Sequence, residues 1–136
     1  MQTGKFAVTT LKVGIAEPEE MNARTVRIAR GDEKPAPGEP TVWFTSTESF
    51  ARLLSASNRE LLRIIYEQEP GSLEELAKIT GRATPNVSRT LKKMESFGLV
   101  RIEKGKGLKL IPKVIHDRVE LVLPLIERHK SNGARK

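Results

Sequence analysis

The sequence predicts an α+β fold, and three observations carry that prediction. Residues 72–97, SLEELAKITGRATPNVSRTLKKMESF, read as two amphipathic helices joined by a glycine turn. Residues 100–110 alternate apolar and polar side chains around a Lys-Gly-Lys-Gly tip, the pattern of a β-hairpin. Short β-prone runs flank this block on both sides, KFAVTTLKV at 5–13, VWF at 42–44 and RVELVL at 118–123. A chain of 136 residues is long enough for one core that buries roughly two-thirds of the unfolded surface, and too short for two.

The helix pair begins with a capping box. Ser72 and Glu75 are spaced to satisfy backbone amides at a helix start, and Leu73, Leu76 and Ala77 then share one face up to about Ile79. Gly81 ends that helix by entering the left-handed region without a Cβ clash. Thr84 offers an N-cap hydroxyl to the second helix, with Pro85 at its first position, where a missing amide costs nothing. Val87, Leu91 and Met94 form its packing stripe, whereas Arg89, Lys92, Lys93 and Ser96 project from the other side. A sharp turn followed by a helix with a buried stripe and a basic stripe suits a DNA major groove about 12 Å wide. A surface helix with solvated lysines is the plainer alternative. Ala77, Gly81 and Val87 weigh against it, because they stand at the offsets that close packing in a helix-turn-helix needs.

The hairpin adds to this reading. Lys104 and Lys106 alternate with Gly105 and Gly107 at its tip, so cations are presented without bulky neighbours that would block a phosphate backbone. Asn86, Ser88 and Arg89 fall in the first turns of the second helix and are the candidates for base contacts, with Arg89 placed to read a guanine. Arg82 and Thr84 at the turn, and Lys92, Lys93, Lys104 and Lys106, are candidates for phosphate contacts. The expected architecture is a winged helix-turn-helix over residues 45–112, preceded by a strand/helix arm with a proline-rich linker over 1–44 and followed by a strand extension and basic tail over 113–136.

The run LEELAKITGRATPNVSRTLKKMESFGLVRIEKGKG resembles the winged helix-turn-helix of MarR-like and ArsR-like prokaryotic regulators. More of the chain, from Thr25 through Leu123 and including VWFTSTES, resembles a small family of bacterial and archaeal predicted transcriptional regulators. The resemblance implies a repressor that binds double-stranded operator DNA, usually as a homodimer, and in some cases an antitoxin with a toxin protein as its partner.

Charge supports a nucleic-acid partner independently. The net charge is +7, yet residues 1–80 carry 10 basic and 12 acidic side chains while residues 81–136 carry 14 and 5. The basic half begins at the second helix of the pair, as expected where neutralised phosphates release counterions. A membrane surface also attracts cations, but no helix here pairs them with a broad apolar face. No cysteine is present, which fits a reducing cytoplasm and removes the metal-sensing thiolates of some ArsR-like proteins. The absence of an apolar run of about 18 to 20 residues predicts a soluble cytoplasmic protein.

The remaining segments are assigned from local chemistry. Glu17 to Arg30 reads as a helix with acids in its first turn and Arg27 and Arg30 at its end. Residues 31–40, GDEKPAPGEP, hold three prolines and two glycines and predict a linker or mobile loop. Trp43 anchors the arm, or alternatively serves as a contact for a partner protein. Thr45 with Glu48, and Ser57 with Glu60, are read as capping boxes for two further helices, the second carrying the dense apolar face of Leu61, Leu62, Ile64 and Ile65. After Pro112 a helical face competes with a strand; a strand over Arg118 to Leu123 is preferred, because a continuous helix places Pro124 in its interior at a cost of about 3 kcal/mol. The tail, residues 130–136, is read as disordered.

No catalytic constellation emerges, and no cofactor is expected. GxxxxGK[ST] is absent, and the Gly105 and Gly107 pair lies in a hairpin. His116 and Asp117, with Glu120, are the nearest approach to a metal or acid–base set, and surface polar residues are the simpler account. A protein-interaction adaptor without DNA binding is the competing class. Finally, a winged helix uses only about 65 to 80 residues, which leaves Phe6, Val8, Leu11, Val13, Val42, Trp43, Val119, Leu121 and Leu123 needing burial elsewhere. Residues 1–44 and 113–124 are therefore expected to share a sheet, within or between protomers, to build a homodimer and to present a surface to a second protein.

Overall fold

The computed structural model describes residues 9–35 and 37–126; the β-prone residues 5–8 and the tail at 130–136 lie outside the described residues. The described residues form an α+β fold of five helices and two small sheets. In chain order these are β1 (Thr10–Ile15), α1 (Pro18–Arg30), β2 (Val42–Phe44), α2 (Thr47–Leu53), α3 (Ala56–Gln68), α4 (Leu73–Thr80), α5 (Thr84–Ser96), β3 (Val100–Lys104), β4 (Leu110–Val114) and β5 (Arg118–Val122).

The arm sheet forms within one chain. Its order is β2-β1-β5, with β1 parallel to both neighbours, so β1, α1 and β2 make a βαβ unit and β5 returns from the far end of the chain to the other side of β1. Val13 faces Val42 on one side and Leu121 on the other; Ile15 pairs with Phe44, and Leu11 with Val119. Paired residues in a sheet share a face, which places these seven apolar side chains on one side and Lys12, Gly14, Trp43, Glu120 and Val122 on the other. The apolar face joins a single core with Leu53, Leu61, Ile64, Ile65, Leu76, Val87, Leu91 and Met94. Trp43 is half-buried on the opposite face, its ring lying over Gly14: a Cβ there would stand 2.7 Å from Trp43 Cε3.

The proline- and glycine-rich segment is tied down at Glu33, Gly38 and Glu39. Arg24 on α1 holds Glu33 at 2.9 Å and Glu39 at 2.5 Å, Arg27 holds Glu33 at 2.7 Å, and Lys12 Nζ donates to the Gly38 carbonyl at 3.0 Å. Prolines exclude regular structure but do not prevent side-chain anchoring, so the segment expected as a linker or mobile loop is the crossover from α1 to β2, held by these contacts. None of the α1 side chains is buried.

Three caps differ from expectation by one or two residues. Ser46, not Thr45, caps α2 through Ser49 N–H at 3.0 Å; Ser55, not Ser57, caps α3 through Asn58 N–H at 3.2 Å. Both stretches offer several hydroxyls in succession, and the surrounding packing selects among them. At α5, Ala83 occupies the cap and Thr84 the first helical position, so Pro85 stands second, where the first turn again requires no amide. The box at α4 is present: Ser72 Oγ accepts from Glu75 N–H at 3.0 Å, and Glu75 Oε1 accepts from Gly71 N–H at 3.1 Å. The hairpin extends past its expected end, pairing Ile102 with Pro112 and Val100 with Val114. A two-stranded ribbon leaves each strand one open edge, where a proline costs no ladder bond. The segment after Pro112 forms strand β5, in line with the proline argument.

Candidate nucleic-acid interface

Gly81, at φ 76°, closes α4 by donating its N–H to the Ala77 carbonyl at 2.8 Å, and three residues later α5 begins. Val87, Leu91 and Met94 are fully buried, which fixes the rotation of α5 about its axis. Pro85, Asn86, Arg89, Lys92, Lys93 and Ser96 are consequently exposed, at the i, i+3 and i+4 spacing of a single stripe. Thr84 and Ser88 are half-buried beside it. Arg89 Nη1 donates to Asn86 Oδ1 at 3.1 Å, so two of the three candidate base-reading side chains already lie together in solvent.

The acid on α5 is turned away from this stripe. Glu95 Oε2 accepts from the Ile102 N–H at 3.3 Å, linking the helix to β3. Some exposed arginines elsewhere are paired locally, Arg63 with Glu60 and Glu67, Arg101 with Glu103, and Arg118 with Glu120, whereas Arg30, Arg52 and Lys78 are exposed and, among the described residues, in no ion pair. Among the described residues, Lys92, Lys93, Lys104 and Lys106 stand in no such pair.

Lys104 and Leu110 close the hairpin, and Gly105 to Lys109 form its tip. Gly105 N–H donates to the Lys109 carbonyl at 2.9 Å, and a Cβ on Gly105 would meet Ile111 Cδ1 at 2.8 Å, so the backbone packs closely over the end of that side chain. Gly107 adopts φ 65°, the left-handed region that favours glycine. Lys104 and Lys106 are exposed, as is Lys109, which its place in the alternating pattern assigns to a strand. Leu108, expected in the same strand, is 99% exposed at the tip. The shift follows from the tip being five residues long: the strand restarts at Leu110.

Arg82 is engaged differently from the other cations. Its guanidinium donates to the Ser57 carbonyl at 2.7 Å, to Ser57 Oγ at 2.6 Å and to Asn58 Oδ1 at 3.1 Å, which ties the turn before α5 to the first turn of α3. No local spacing signals this grip, because the partners lie 24 and 25 residues away. His116 and Asp117 lie between β4 and β5, at the entry to β5. Asp117 Oδ1 accepts from Thr9 N–H at 3.1 Å and its own N–H donates to the Thr9 carbonyl, so it pins the start of β1.

Residues 53–121 match the HVO_A0114 family, and the chain belongs to that family. The matched segment runs from the end of α2 into β5 and so contains α3, α4, α5 and the hairpin, while β1, α1 and β2 precede it. No curated protein matches the chain. No helix among the described residues is long and apolar enough to cross a membrane.

Proposed function

We propose that the protein is a sequence-specific, double-stranded-DNA-binding transcriptional regulator of the winged helix-turn-helix type, acting as a dimeric repressor in the cytoplasm. The observation that carries this reading is the stripe of exposed, locally unneutralised cations on α5, continued by Lys104 and Lys106 on the hairpin that follows it. Single unpaired cations are ordinary on a protein surface; it is the clustering of Arg89, Lys92 and Lys93 on one stripe of a helix after a sharp turn that makes a basic face available to phosphates. In this reading α5 enters the major groove, Asn86 and Arg89 contact base edges, and Lys92, Lys93, Lys104 and Lys106 contact the backbone. Arg82 sets the angle of the turn and contributes at most a secondary phosphate contact. The protein is not an enzyme and uses no cofactor. An antitoxin role adds a toxin protein as a second partner without changing the DNA surface.

The test is retention on heparin followed by a gel shift with the duplex upstream of the protein's own gene, set against a random duplex of equal length. Preferential binding to the upstream duplex is expected. Absence of binding to either duplex would move the reading to a protein-interaction adaptor.

A further inference from the structure

Away from the α5 surface, two features of the arm lie side by side. The first is a bare sheet edge: among the described residues β5 pairs with β1 alone, although its far side presents a row of backbone donors and acceptors. The second is a groove of about 920 Å³ alongside that edge, whose floor is Phe50, Leu54, Leu62, Leu99, Val114 and Val119. The chain leaves β5 through an apolar run that is itself unburied, with Val122 and Leu123 nearly half exposed, Leu125 93% exposed and Ile126 81% exposed.

We propose that β5 is the seam of a homodimer, pairing antiparallel with β5 of a second copy about a two-fold axis through Val119. The occupant of the groove is then the apolar run after Glu120 in the partner. This deepens the dimer in the reading above and stands on the arm alone, without reference to DNA.

The register follows from side-chain chemistry. A two-fold axis normal to the sheet keeps both inner faces on one side, so a residue and its cross-strand partner both point inward or both point outward. An axis through Val119 sets Val119 against the partner's Val119 and Arg118 against the partner's Glu120, and the same charge pair recurs by symmetry. An axis through Glu120 would instead oppose two carboxylates, which cross-strand pairing disfavours. With the axis at Val119, the partner's Leu121 falls opposite Asp117, just before β5 begins, and the partner's apolar run continues from there toward the groove that Val114, His116 and Asp117 line. The seam thus extends the three strands of each copy into one sheet and covers apolar surface that a monomer leaves in water.

The chain contains no cysteine, so a single introduced thiol reports the register without background. In the proposed seam the two Val119 Cα atoms lie about 4.5 to 5.5 Å apart, within disulfide reach, whereas the two Leu121 Cα atoms are about 14 Å apart. The experiment sediments the full chain at tens of micromolar, then oxidises Val119→Cys and Leu121→Cys mildly and compares covalent dimer. A dimer that cross-links at position 119 and not at 121 is expected. Arg118→Glu is expected to raise the dimer dissociation constant about tenfold, and adding Glu120→Arg to restore it. A full-length monomer would overturn the proposal and leave the groove to another protein or a small ligand; a dimer that cross-links at 121, or at neither position, would overturn the seam. Because no DNA is present, these outcomes are independent of whether the protein binds an operator.

Discussion

Phe44 and Phe97 stack with ring centroids 4.0 Å apart and planes within 6° of parallel, joining the last residue of β2 to the residue that ends α5. Phe50 of α2 meets the same Phe44 ring edge-on at 5.4 Å and 89°. This aromatic cluster fastens the arm sheet to the helix that carries the cationic stripe. Phe97→Ala removes one side of it. The expected loss is about 2 to 3 kcal/mol in urea unfolding, less than a fully buried phenylalanine because Phe97 is half-buried. Trp43, the only tryptophan, lies one residue from Phe44 and reports the change as a red shift of emission. Unchanged stability would show that the arm docks through other contacts.

The clasp around α1 is acid-sensitive. The Arg24 guanidinium, with help from Arg27, holds the Glu33 carboxyl down to about 2 from the ordinary 4.5. A depressed folded-state value means that the clasp contributes stability above about 4.5 and loses it as pH falls toward about 2. Because Glu33 is solvent-accessible, the effect on global unfolding is small and the informative readout is local. Carboxyl carbon chemical shifts are expected to give a Glu33 midpoint near 2. A midpoint at the ordinary carboxylate value would show the clasp to be open in solution.

Arg82 and Arg89 are both arginines of the turn and second helix, but their partners differ, α3 for Arg82 and the neighbouring Asn86 for Arg89. Arg82→Ala is expected to cost about 1 to 2 kcal/mol of folding stability, since it leaves the Ser57 carbonyl and Asn58 Oδ1 without a charged donor. Arg89→Ala leaves only an exposed Asn86 partner and is expected to be nearly neutral in folding. On the operator Arg89→Ala is expected to cost about 1 to 3 kcal/mol, and much less on random DNA. Paired thermal melts and duplex titrations of the two variants check this. Equal loss on specific and random DNA would remove Arg89 from base readout.

The helix pair is legible in the sequence because its signals are local. Ser72 and Glu75, Gly81, and the Val87, Leu91 and Met94 stripe each act within a few residues, and each appears at its expected place. The arm is legible as strands but not as a sheet: β1 and β5 are 108 residues apart at the Thr10 and Arg118 pair, and no local pattern encodes a parallel register. Caps shift from their expected residues at TSTES and SASN, where neighbouring hydroxyls compete and only tertiary contacts decide. Alternation continues through Leu108 and so reads as strand, whereas the tip geometry imposed by Gly105 and Gly107 puts that residue in solvent. The grip of Arg82 on α3 has no counterpart in any spacing rule.

The central claim is that the α5 stripe and the hairpin tip contact a phosphate backbone, and its most direct test is the salt dependence of duplex binding. If Lys92, Lys93, Lys104 and Lys106 each neutralise one phosphate, log affinity falls against log salt with a slope of roughly −3 to −4 per protomer. Replacing Lys104 and Lys106 with alanine then reduces the magnitude of that slope by roughly 2 per protomer on operator and random duplex alike. A slope near zero in the intact protein would contradict the claim outright, and a slope unchanged by the double substitution would contradict the part assigned to the hairpin.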